Sequence, residues 1–153
     1  MISVTGLNHV VLYVRNLERS VQFYKSIFGF KEVARMHGRM AFLRAAGYTN
    51  HYDLGLVALG FHAPTPTPGT ISLYHLAWEV KTIEDLAKAA ELLQEKSYFR
   101  GASDRGVSKS MYGEDPDGLE FEIMWRVPRQ EWGEMEHRAI VAPLNLVLGE
   151  YRV

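Results

Sequence analysis

The chain contains no cysteine, which excludes disulfides, thiolate metal sites and a cysteine nucleophile. No apolar run approaches the roughly 20 residues that a membrane helix needs. Basic clusters are absent too, and 17 Lys and Arg nearly balance 18 Asp and Glu to leave a formal net charge of −1. Nucleic acid is therefore not the expected partner. The first residues, Met1-Ile2-Ser3-Val4-Thr5, lack the basic and apolar regions of a secretion signal. The 153 residues, 47% of them hydrophobic, suit one compact unit or two small modules sharing a core. The expectation is a cytoplasmic protein handling a small molecule.

A repeat stands out in this ordinary composition. Residues 7–18 read Leu7-Asn8-His9-Val10-Val11-Leu12-Tyr13-Val14-Arg15-Asn16-Leu17-Glu18, and residues 73–84 read Leu73-Tyr74-His75-Leu76-Ala77-Trp78-Glu79-Val80-Lys81-Thr82-Ile83-Glu84. Both run Leu-x-His, a Val five residues after the His, then a base, a capping residue, an aliphatic and Glu. Such a duplication predicts equivalent strands that carry His9 and His75 at equivalent places. Two imidazoles and one carboxylate would make a metal site. A carboxylate is available in Asp115-Pro116-Asp117-Gly118 and the segment after it. The tetrapeptide is a strong turn signal. The strand that follows puts Glu120, Glu122 and Met124 on one face, against Phe121, Ile123 and Trp125 on the other. An acid inside a hydrophobic strand is costly when buried without a partner, and a metal ion is one such partner.

The rest of the pattern is β-α-β-β-β, twice. Strands are expected over residues 7–14 and 73–80. Asn16 caps a helix over 17–28 that Gly29 ends, with Val21, Tyr24 and Phe28 on its buried face. Thr82 and Asp85 form a capping pair ahead of a helix over 86–94. Further strands are expected over 31–36, 40–44, 52–59, 98–101, 109–112 and 119–125. The division expected is a first module over 1–62, a Pro-rich linker over 63–70, a second module over 71–125 and a packing tail over 126–153. The linker cannot join a central strand or helix. The tail carries Trp132, Leu144, Leu146 and Leu148, too apolar to hang free, and is expected to cover a sheet or a second subunit. A homodimer is the expected assembly.

These motifs resemble the vicinal oxygen chelate superfamily, which includes glyoxalase I, type I extradiol dioxygenases and the fosfomycin- and bleomycin-resistance proteins. The residues that carry the resemblance are Asn8-His9-Val10, Leu17 to Tyr24 with Phe28-Gly29-Phe30, His75-x-Ala77-x-Glu79-Val80, and Asp115-Pro116-Asp117-Gly118 with Glu122. It implies an α+β fold of two paired βαβββ modules, whose strands form an open cup-shaped sheet around a divalent metal. It also implies His9, His75 and Glu122 as metal ligands, since Glu122 follows the turn glycine by the family's four residues. Glu120 is then a rim residue. Two imidazoles and a carboxylate that leave positions open suit Fe(II) first and Mn(II) next, with Zn(II) less suited. In glyoxalase I the last strand of the first module supplies one more carboxylate; the segment from Tyr52 to Leu59 has no acid near its end.

Two segments resemble the extradiol branch. His51-Tyr52-Asp53-Leu54 is similar to its His-His-Asp-Leu, and Asp104-Arg105-Gly106-Val107-Ser108 to its Asp-His-Gly-Val-Ser. Tyr112 falls where that branch keeps a tyrosine hydrogen-bonded to a substrate oxygen. The chain departs from the branch at Tyr52 and Arg105, which replace two histidines. The first of those is the branch's acid/base group, and a phenol of ordinary pKa about 10 is a poor base at neutral pH. Tyr112, His51 and Tyr52 are the catalytic candidates. Arg105 and Lys109 could meet an anionic substrate, although loop cations are usually just solvated. His37, His62 and His137 lie outside any motif. The implied activity is ring cleavage of a catechol-like small molecule with O2. Its alternatives are a glyoxalase-like isomerase, a thiol transferase, or a protein that sequesters a drug or metabolite without turnover.

Overall fold

The computed structural model describes residues 1–146. Its backbone contacts divide the chain into two compact units that meet between Pro66 and Thr67. Each unit is one βαβββ module with a mixed sheet, as the α+β expectation holds, and neither sheet closes on itself. Among the described residues no helix is long and apolar enough to cross a membrane.

The first unit holds strand β1 (Val10–Val14), helix α1 (Leu17–Phe28), and strands β2 (Lys31–Met36), β3 (Met40–Arg44) and β4 (Leu54–Ala58). The sheet order is β1-β4-β3-β2, with β1 parallel to β4 and the other pairs antiparallel. Helix α1 has the expected bounds because its signals are local. The Asn16 Oδ1 accepts the Arg19 amide at 3.0 Å, and Gly29 closes the helix at φ +67°, where a glycine is least strained. Its buried face, including Leu17, Val21 and Tyr24, packs on β3 and β4, where Ala41, Leu43, Leu54 and Leu56 are fully buried.

The second unit holds β5 (Leu76–Val80), α2 (Ile83–Glu95), β6 (Phe99–Asp104), β7 (Ser108–Glu114) and β8 (Glu120–Arg126). Its order is β5-β8-β7-β6-β9, again with only the β5–β8 pair parallel; β9 is Ala142–Pro143. Helix α2 starts earlier than the expected residue 86, because the Thr82 hydroxyl caps it directly by accepting the Asp85 amide at 3.1 Å. Strands β6 and β7 run longer than expected, since the residues gained pair either across the β6–β7 hairpin or, for Ser108 and Glu114, with β8.

Strands β1 and β5 begin at Val10 and Leu76, not at 7 and 73. A strand needs a ladder partner, and the partners start late: Val10 pairs with Leu54, and Leu76 with Phe121. His9 and His75 are thus each left one residue outside a strand mouth. Strand β4 is likewise shorter than the expected 52–59, because residues 50–53 turn to serve a hydrogen-bond network.

The tail of the second unit forms two 3₁₀ turns, Arg129–Glu131 and Gly133–His137, and then β9, which pairs antiparallel with β6. The Trp132 indole N–H donates to the Val127 carbonyl at 2.7 Å. Leu144 and Leu146 are half-buried; Leu148 lies outside the described residues.

Candidate metal centre

In the first unit, His9 stands at the mouth of β1 with its Nδ1 2.8 Å from the Asn8 Oδ1. That amide is itself oriented. Its Nδ2 donates to the Asn50 Oδ1 at 3.3 Å, while the Asn50 Nδ2 donates to the Asn8 carbonyl and to the Asp53 Oδ1, both at 2.9 Å. Asp53 is only 4% exposed and its other oxygen accepts the Ala45 amide at 2.9 Å. A buried carboxylate therefore anchors a relay of two amides that ends on one imidazole nitrogen. An acceptor at Nδ1 puts the imidazole proton there and leaves the Nε2 lone pair open, the tautomer a metal ligand needs. The ring of Tyr52 lies against that of His9, with centroids 4.6 Å apart, and against Phe42 at 4.8 Å. His51 is exposed, with only its edge towards Tyr52.

In the second unit, His75 and Glu122 come together. The Nε2 of His75 is 3.0 Å from the Glu122 Oε2. The opposite nitrogen, Nδ1, is buried and 3.3 Å from the Glu120 Oε1, close enough for an ion pair but without an aligned hydrogen bond. Glu120 thus stands behind the imidazole rather than at a rim. The turn before β8 sets this register. The Asp115 Oδ1 accepts the amides of Asp117 at 2.8 Å and Leu119 at 2.9 Å, and Gly118 takes φ +82°. Four residues on, Glu122 lies between Ala77 of β5 and Tyr112 of β7.

The donor chemistry fits a divalent ion. The His75–Glu122 separation is that of an ion pair, and it leaves both donors close enough to share one ion with bonds of about 2.1 Å. A buried imidazole nitrogen with a carboxylate behind it is also the usual support of a metal-bound histidine. Among the described residues no three His, Cys, Asp or Glu side chains gather as a metal-sized group. Two of the expected ligands are brought together, and His9 is described in the other unit.

Beside Glu122, Tyr112 is held by groups from β6 and the loop after it. The Arg105 Nη2 donates to the Tyr112 Oη at 3.0 Å, the Arg105 Nε reaches the same oxygen at 3.3 Å and the Ser103 Oγ at 3.1 Å, and the two hydroxyls are 3.1 Å apart. Donation to Tyr112, helped by the nearby Glu122 charge, pushes the already high Arg105 pKa further up. The rings of His75 and Tyr112 are 6.0 Å apart. Lys109 is engaged otherwise, pairing with the Asp104 carboxylate at 2.6 Å. Burial alone would raise the pKa of Asp104, but the Lys109 ammonium and the Gly106 amide outweigh it and lower that pKa.

A family model described as the Glyoxalase/Bleomycin resistance protein/Dioxygenase superfamily matches residues 6–123. The chain belongs to this superfamily. Among its curated relatives is the manganese-dependent 2,3-dihydroxybiphenyl 1,2-dioxygenase of Geobacillus genomosp. 3, 33% identical over 82% of this chain and 38% of that protein. Another is the metallothiol transferase FosB of Lysinibacillus sphaericus, 26% identical over 79% of this chain and 82% of the relative. The chain spans about two fifths of the length of this dioxygenase and of the catechol-2,3-dioxygenase of Bacillus subtilis, which it also matches. Among solved structures, a glyoxylase/bleomycin resistance protein/dioxygenase domain from Frankia sp. EAN1pec has the same fold, with a TM-score of 0.69 at 23% identity over 89% of this chain and 100% of that one.

Asn8, Asn50 and Asp53 support His9 in the first unit, and Glu120 and Ser103 stand beside His75 and Tyr112 in the second, although the motifs did not single them out for this. Asn8 carried one signal, a polar side chain directly before the repeated histidine. The repeat concealed it, because the second module has Tyr74 there. Glu120 shares a face with Glu122, yet its approach to Nδ1 depends on where β5 begins.

Proposed function

We propose that this chain is a divalent-metal-dependent enzyme acting on a small molecule, most concretely an extradiol-type dioxygenase that cleaves catechol-like rings with O2. The observation that carries the reading is the His75–Glu122 donor pair at 3.0 Å beside a hydroxyl that Arg105 holds in place. The likeness to a manganese-dependent ring-cleaving dioxygenase supports it. His9, His75 and Glu122 would hold the metal, Fe(II) or Mn(II). When bound, the metal supplies Lewis acidity and a template for two adjacent substrate oxygens. The protein does the rest through its own groups. Asn8 and Glu120 orient the two imidazoles, and Tyr112 presents its hydroxyl to a substrate oxygen. The Tyr52 ring lies against that of His9, and His51 stands exposed beside Tyr52 as a candidate acid/base group.

A second reading has its own support. The metallothiol transferase relative matches this chain over most of both lengths, which favours thiol addition to a small electrophile if ring cleavage fails. Anaerobic purification with metal analysis, then oxygen uptake over a catechol panel, is the test. About one divalent metal per chain and catechol-dependent oxygen uptake are expected. Metal bound without uptake would sink the dioxygenase reading; thiol-dependent turnover would then mark the transferase, and tight binding without turnover the sequestering protein.

A further inference from the structure

Arg105 is a cation that makes no ion pair or hydrogen bond with an acid among the described residues, although the Glu122 carboxylate stands near enough to favour its charge. Three other arginines of this unit pair with acids: Arg100 with Glu114, Arg126 with Glu79 and Arg129 with Glu136. Lys109, four residues along the same hairpin, is neutralised by Asp104. Arg105 instead touches only two neutral hydroxyls, and among the described residues its Nη1 has no hydrogen-bond partner. It is nonetheless held in place. Its amide donates to the Ser108 carbonyl at 2.8 Å, its carbonyl accepts the Val107 amide at 3.0 Å, and the Asp104 carboxylate accepts the Gly106 amide at 2.7 Å. Gly106 takes φ +75°, and a Cβ there would meet the Ile140 side chain at 2.8 Å. The loop under the guanidinium is thus pinned from both sides.

Arg105 is exposed, yet solvation alone would not require so fixed a seat. An ordered guanidinium, still carrying free donors and set beside a hydroxyl opposite Glu122, has the makings of a subsite for an oxyanion. We propose that Arg105, with Tyr112 and Ser103, binds an anionic oxygen group of the substrate. The substrate class is then a small molecule carrying a carboxylate or phosphonate next to the oxygens that approach the metal. Arg105 is on this view a specificity-determining residue. The inference rests on the metal-site reading above and narrows it, from catechols in general to acidic ones or their phosphonate counterparts.

The test compares the affinity of manganese-loaded protein for catechol, for a dihydroxybenzoate and for phosphonoformate, by calorimetry, in wild type, Arg105→Gln and Arg105→Lys. A charge-assisted contact predicts that dihydroxybenzoate binds on the order of ten-fold tighter than catechol. In Arg105→Gln the ratio of the two affinities should fall to near one. Arg105→Lys should keep part of it, because an ammonium supplies charge without the fork. A wild-type ratio near one, or a ratio unchanged by Arg105→Gln, would overturn the inference. If neither catechol binds while manganese does, the ring-cleaving reading fails by itself, and phosphonoformate decides: Arg105-dependent binding upholds the subsite, and binding indifferent to Arg105 or absent overturns it. If manganese does not bind, the metal reading fails, and the Arg105 side-chain ¹H–¹⁵N resonance titrated with phosphonoformate decides in the same way, a saturable shift upholding the subsite and none overturning it.

Discussion

An imidazole can give one nitrogen to a metal only if something settles what the other does. Asn8 settles it for His9 and Glu120 stands ready to do so for His75, two different side chains doing one task in two copies of a module. Removing such support usually lowers metal affinity about 10- to 100-fold. If His9 completes the proposed site, Asn8→Ala should therefore weaken manganese binding by that order in a competition assay with a chromophoric chelator. His75→Ala and Glu122→Ala should reduce it far more, and His9→Ala equally if the module duplication reflects a shared site. Undiminished affinity in Asn8→Ala would show that the relay from Asp53 is structural only. Tyr52 offers a second test at this scale. In the dioxygenase reading, Tyr52→His restores the acid/base group of the extradiol branch and should raise catechol cleavage on the order of a hundred-fold. No gain in a variant that still binds its metal would show that the strand was aligned wrongly with that branch.

Elements set where these side chains stand. Strands β7 and β8 put Tyr112 opposite Glu122 and Gly113 opposite Phe121. The glycine is demanded by packing: a Cβ at position 113 would lie 2.5 Å from the Phe121 ring and 2.9 Å from the Tyr98 carbonyl. Phe121 is buried and the carbonyl is backbone, so neither gives way cheaply. Gly113→Ala should cost about 1–3 kcal/mol, as overpacking does, read as a lower midpoint in urea with an unchanged slope. Because Tyr112 and Glu122 share this ladder, metal affinity should fall in the same variant. A stable Gly113→Ala protein would mean that the β7–β8 register differs from the one described. The hairpin turn that seats Arg105 and the Asp115 turn that seats Glu122 work alike, each with an aspartate accepting amides two residues on.

At the scale of the molecule, several large apolar side chains are exposed. Val11 and Tyr13 on β1, an edge strand of its sheet, are 45% and 67% exposed, and Phe61 and Tyr74 are 72% and 77% exposed. Edge strands with apolar faces invite pairing with another copy. Light scattering at micromolar concentration is expected to give the mass of a dimer. A single-chain mass would refute this, as would a dimer unaffected by Tyr13→Asp if the β1 edge is the contact.

How much of this the sequence could reveal follows from the reach of each interaction. Helix α1 and strands β2 and β3 lie at their expected bounds, since a cap, a closing glycine and alternating apolar positions are read within four residues. The paired histidines and the Gly118-to-Glu122 spacing belong to the same local order, so the candidate ligands could be named from the chain alone. What starts or stops β1, β4 and β5 is pairing between residues about forty positions apart, and there the expected ends were several residues off. The same holds for Asn50 meeting Asn8, β9 joining β6, and Arg105 meeting Tyr112. Local signals by themselves determined the elements, the repeat and the candidate ligands. Only the tertiary structure decided which nitrogen of His9 is occupied and that Arg105 meets hydroxyls rather than an acid, because both depend on partners that come close only once the sheets have formed.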